Sequence, residues 1–199
     1  TSDIEATLAA SDVTSGLEHI EYSLNAGADW LEYLGPFVLG TEADSQNIQY
    51  RAVDLAGLTS ETKSQDFKID KSAPVMNEPA LAGTLGDNDW YVSDVEATLT
   101  GEDATSGVAL IEYSYNGTDW HDYLNPFDIT LEGNTPVYTR ITDNAGLETT
   151  YSPQITVDID KTEPTISDIV LDGTIGDNDW YTSDIEATLA ASDVTSGLE

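Results

Sequence analysis

The chain is 199 residues long, has no cysteine, and carries 38 acidic against six basic residues, a net charge of −32. That balance repels phosphate backbones, so nucleic acid is excluded as a partner, and it disfavours anionic membrane for the same reason. The missing thiols exclude disulfides, thiolate metal sites and cysteine nucleophiles.

Residues 1–18 recur letter for letter as residues 182–199, and a degenerate copy, VSDVEATLTGEDATSGV, occupies 92–108. The repeating unit is therefore about 90 residues, the scale of a stacked module. The sequence reads as a window on a longer tandem array. It holds a partial repeat lacking its first strand (1–73), a complete repeat (74–163), and the opening part of a third (164–199). With 39% hydrophobic residues, each complete unit can bury its own core.

In chain order, Ile4, Ala6 and Leu8 alternate with Glu5 and Thr7, and Ile20, Tyr22 and Leu24 alternate with Glu21 and Ser23. Period two over short runs predicts strands with one buried face. Turn-forming clusters at 11–16, 25–27, 54–57 and 83–89 punctuate them. In the complete repeat the pattern predicts strands over 75–81, 94–100 and 108–115, a short pair within 120–130, then 137–142 and 154–158. Ile20, Tyr22, Ile111 and Tyr113 are expected inside, with Glu21 and Glu112 facing water. About seven short strands per repeat predict an all-β fold of tandem immunoglobulin-like antiparallel β-sandwich domains arranged end to end.

The motifs that carry a resemblance are DKTxP at 160–164, GDNDWY at 86–91 and 176–181, a DxxSGV loop, IEYSxNG, a Trp and a Tyr three residues apart, and a DxAG loop. Together they resemble the bacterial immunoglobulin-like tandem repeat domains of surface adhesins, surface-layer proteins and other extracellular multidomain proteins. The resemblance covers the whole chain. It implies a non-catalytic role as a cell-surface stalk, extender or filament segment, whose partners are neighbouring repeats or identical chains in a fibre. It names no catalytic residue.

Aspartates fall where such a topology brings loops together at the junction between repeats. Asp158 and Asp160 belong to the junction, Asp87 and Asp89 to the loop after the first strand, and Asp193 to a loop of the following repeat. At the preceding junction the equivalents are Asp70, Asp103 and Asp143. Hard oxygen ligands without histidine or cysteine suit Ca²⁺. The bland alternative is that these side chains bond local backbone in turns.

Trp30, Trp90, Trp120 and Trp180 recur with the period, as do Tyr33 and Tyr123. They are expected to cover the sandwich core. The alternative is a carbohydrate-binding array in which these rings stack on glycan. Histidine occurs only at His19 and His121, which are not equivalent positions, and no nucleophile elbow or phosphate loop is present.

Overall fold

The computed structural model describes residues 2–151 and 153–198. Apart from one 3₁₀ turn at Asp177–Asp179, every regular element among them is a β-strand. The partial repeat supplies β1 (Ile4–Ala6), β2 (Leu17–Ser23), β3 (Leu31–Glu32), β4 (Phe37–Leu39), β5 (Ala43–Asp54) and β6 (Lys63–Ile69). The complete repeat supplies β7 (Val75–Met76), β8 (Ala80–Ala82), β9 (Val95–Thr98), β10 (Gly101–Glu102) and β11 (Val108–Ser114). It continues with β12 (His121–Asp122), β13 (Phe127–Ile129), β14 (Gly133–Asp143), β15 (Glu148–Thr150) and β16 (Ile155–Ile159). Then come β17 (Thr165–Ile166), β18 (Val170–Asp172), β19 (Glu186–Thr188) and β20 (Ala191–Ser192).

The chain divides into two compact units. One comprises Thr1–Met76, Gly101–Ile111 and Arg140–Thr150; the other comprises Asn77–Thr100, Glu112–Thr139 and Tyr151–Glu199. In the first, a four-stranded antiparallel sheet runs β3-β2-β5-β6, and β1 pairs with β4. Leu39, Ile48 and Ile69 are buried there, and Tyr22 stacks on Phe37 at 4.1 Å. The same unit holds the β7–β10 pair, where Met76 lies opposite Gly101. A Cβ at residue 101 would come within 2.6 Å of the Val75 carbonyl and 2.4 Å of the Ile141 Cδ1, so only glycine fits.

In the second unit the order is β13-β9-β8 in one sheet, while β16 pairs with the Gly133–Val137 half of β14 in another. Val95 and Ala97 of β9, Ile129 of β13, Val137 of β14, and Val157 and Ile159 of β16 form one buried cluster, against which Leu81, Tyr91, Tyr113 and Phe127 pack. A core drawn from the facing residues of two antiparallel sheets is a β-sandwich. The pairs β17–β20 and β18–β19 repeat the register of β7–β10 and β8–β9.

Three expectations change. The strand expected over 75–81 is two strands, because Pro79 has no N–H to donate to a ladder. Its halves pair with different partners, β7 with β10 and β8 with β9. Glu112, expected in water, is only 8% exposed. Its strand is central in its sheet, between β12 and β14, so side chains on both flanking strands crowd it. Glu21 shows the same effect: Arg51, directly opposite in β5, donates from Nε to its carboxylate and lies over the Trp30 ring. Tyr and Phe fill the core of the second unit, as in the Tyr113–Phe127 stack at 3.8 Å, and Trp30, Trp90 and Trp120 are half-buried.

Ile129→Ala removes a side chain that no solvent reaches and should lower unfolding free energy by about 2–5 kcal/mol. Leu124→Ala, at a position exposed to solvent, should change it by less than about 0.5 kcal/mol. Urea unfolding of the two variants checks the register.

Candidate functional site

Asp103, Asp12 and Asp193 occupy the same place in successive repeats, and each side chain organises its own loop. The Asp103 Oδ1 accepts N–H bonds from Thr105, Ser106 and Gly107 at 2.8–3.1 Å. Asp12 does the same for Thr14, Ser15 and Gly16, and Asp193 for Thr195 and Gly197. The loop is held by a carboxylate because three converging N–H dipoles favour an anion. For Asp12 the Gly16 N–H is the largest cause of a pKa lowered from the ordinary aspartate value. At Asp103 burial pushes upward, but the donors of Gly107, Thr105 and Ser106 together outweigh it and the pKa is again lowered.

Asp143 and Asp54 are a second repeated pair. The Asp143 Oδ1 accepts from the N–H groups of Ala145 and Leu147, and the Asp54 Oδ1 from those of Ala56 and Leu58, all at 2.8–2.9 Å. The DxAG loop thus closes on its own aspartate. These two loops lie together in both the partial and the complete repeat. The Asn144 N–H donates to the Gly107 carbonyl, as the Leu55 N–H does to the Gly16 carbonyl.

The third member comes from the IDK segment that ends a repeat. The Asp70 Oδ1 accepts the Ser72 N–H at 3.1 Å, while its Oδ2 accepts the Ser106 N–H at 3.0 Å. Ninety residues on, the Asp160 Oδ1 accepts the Thr162 N–H and its Oδ2 the Ser196 N–H, both at 3.0 Å. One carboxylate thereby bridges the end of one repeat and the DxxSG loop of the next. Beside it, Lys71 Nζ donates to Asp3 at 3.0 Å and to the Gly40 carbonyl at 2.7 Å. Lys161 Nζ donates to Asp94 and the Thr130 carbonyl. The Lys71 and Lys161 N–H groups donate to Glu42 and Glu132 respectively.

Asp70, Asp103 and Asp143, all in the first compact unit, come together: each offers a carboxylate oxygen within 4.8 Å of one from each of the others. Among the described residues no other group of three does so. Asp87, Asp160 and Asp193 border one recess, lined also by Trp90 and Lys161, without converging to that degree. Asp89 forms part of the GDNDWY turn, where Asn88 and Asp89 take φ of 53° and 63°. Asn and Asp tolerate that left-handed backbone better than most residues. The turn closes through the Gly86 N–H to the Trp90 carbonyl at 2.8 Å. Asp158 accepts from Asn134 Nδ2 across the β14–β16 ladder. Asp12 and Asp54 were not among the sequence candidates, although the repeat alignment places them opposite Asp103 and Asp143.

No protein-family model matches the chain, and no curated protein matches it. Among solved structures, the fibronectin(III)-like modules of Clostridium thermocellum CbhA match over 81% of this chain and 88% of that chain, with 15% identity and a TM-score of 0.32. A likeness of that degree carries no inference about function.

Depressed carboxylate pKa values fix the sign of a pH effect. Stability supplied by Asp12 and Asp103 is complete above the unfolded value, 3.8, and is lost as pH falls through the lower folded values. Urea midpoints measured from neutral pH down to about pH 2 should fall most steeply below 3.8. Asp12→Asn and Asp103→Asn should flatten that decline.

Proposed function

We propose that the chain is a segment of a structural repeat protein, an extracellular stalk, extender or filament segment in which each repeat is fastened to the next by the same connector. The observation that carries this reading is the recurrence of the Asp70–Ser106 bridge as Asp160–Ser196, at 3.0 Å in both cases. The flanking clamp recurs with it, Lys71 to Asp3 and Lys161 to Asp94. A catalytic centre needs one copy of its residues. A connector is useful in every copy, because stability and length then accumulate repeat by repeat. The acidic surface fits an exported, self-repelling chain that stays soluble.

The carbohydrate-binding alternative would use the recurring aromatic rings. Against it, one face of Trp30 is taken by the Arg51 guanidinium, 3.8 Å from the ring centroid. Trp90, the counterpart of Trp180 in the complete repeat, is half-buried.

Polypeptides of two, four and six repeats should separate the readings. By small-angle scattering, maximum dimension should rise in near-constant steps of about 40 Å per repeat, the length of a seven- to ten-residue strand plus its loops. Glycan arrays should show no binding. A dimension that levels off with repeat number, or a single repeat that retains a glycan, would overturn the connector reading.

A further inference from the structure

One oxygen at the connector is left out of its hydrogen-bond network. Asp143 is 2% exposed, and while Oδ1 takes two backbone N–H groups, its Oδ2 is closed off from solvent and accepts from no protein group. Burying an unpartnered carboxylate oxygen is costly, and native proteins retain such an atom where something else satisfies it. The groups nearest in charge make the need greater. Asp70, itself 8% exposed, and Asp103 bring further carboxylate oxygens within 4.8 Å, and none of the three forms an ion pair with a described residue.

We propose that Asp70, Asp103 and Asp143 form a divalent-cation site that takes Ca²⁺, with the Asp143 Oδ2 as a ligand. The donor set is made of hard anionic oxygens and contains neither imidazole nor thiolate, which selects Ca²⁺, Mg²⁺ or Mn²⁺ over zinc and copper. Ca²⁺ accepts six to eight oxygens at about 2.3–2.6 Å in irregular geometry and completes its shell with carbonyls or water. Mg²⁺ demands a near-ideal octahedron and gives up its water reluctantly. Three carboxylates fixed by their own backbone bonds cannot rearrange to that shape, whereas Ca²⁺ adapts to them.

The inference rests on the connector reading and deepens it. The preceding repeat supplies one ligand, Asp70, and the following repeat supplies two, Asp103 and Asp143. Asp160 and Asp193 are the counterparts of Asp70 and Asp103 ninety residues on, and Asp12 and Asp54 those of Asp103 and Asp143 in the partial repeat. The array thus takes one ion per junction, and the ion offsets like-charge repulsion at the place where consecutive repeats are fastened.

The test uses the 199-residue chain, freed of metal by a chelator, in about 0.15 M KCl so that diffuse counterion binding is screened. CaCl₂ followed by calorimetry should give one saturable heat below millimolar concentration, with MgCl₂ binding at least tenfold more weakly. The melting temperature should rise with calcium and level off. Asp143→Asn keeps an acceptor for Ala145 and Leu147 and alters the unpartnered oxygen, so it should lose the saturable heat and the calcium-dependent rise. Asp87→Asn and Asp158→Asn should keep both. If Asp143→Asn does not fold, Asp103→Asn serves in its place. No saturable heat in the parent chain, a heat that the added salt abolishes, or an Asp143→Asn response equal to the parent's would overturn the site. Failure here with linear growth of the longer polypeptides removes the ion and leaves the connector; saturable calcium binding in polypeptides that do not lengthen does the reverse.

Discussion

The bridge made by Asp70 sets the terms for everything around it. A carboxylate can accept hydrogen bonds on both oxygens at once, and here one oxygen is committed to its own segment, through Ser72, and the other to the loop headed by Asp103. The bridge works because that loop is itself rigid, its backbone N–H groups gathered on the Asp103 Oδ1. Charge-assisted bonds of this kind are about twice as strong as neutral ones.

Much of this was legible in the sequence because period-two alternation and a 90-residue recurrence are both strong signals. The all-β fold, the strands β2, β9, β11 and β16, and the convergence of Asp70, Asp103 and Asp143 all followed from them. What misled was treating alternation as a rule about burial. β11 has a strand on each side, and Glu112 is buried although it lies on the polar phase. Proline at 79 was visible, but that the strand would then divide its partners between β10 and β9 depends on the tertiary arrangement.

The tryptophans show a different limit. Size and periodicity mark them as cover for the core, and Trp30, Trp90 and Trp120 end half-buried, while Tyr113 of β11 and Phe127 of β13 stack against each other in the core of the second unit. Asp12 and Asp54 were passed over for the opposite reason. Each is an ordinary turn former when viewed alone, and although the repeats align them with Asp103 and Asp143, their backbone bonds show that they organise their loops in the same way.

The bridge also makes neighbouring repeats thermodynamically interdependent. A repeat whose DxxSG loop is held by its predecessor's aspartate is more stable than the same repeat at the head of a chain, so unfolding free energy becomes a sum of intrinsic and nearest-neighbour terms. Such a system frays from its ends and resists opening in the middle. It also acquires order in a fixed direction during synthesis, each new repeat emerging to find the aspartate of the one before it already in place. Neighbouring repeats of related sequence, which run the risk of exchanging strands, are thereby given a head start toward the correct partner.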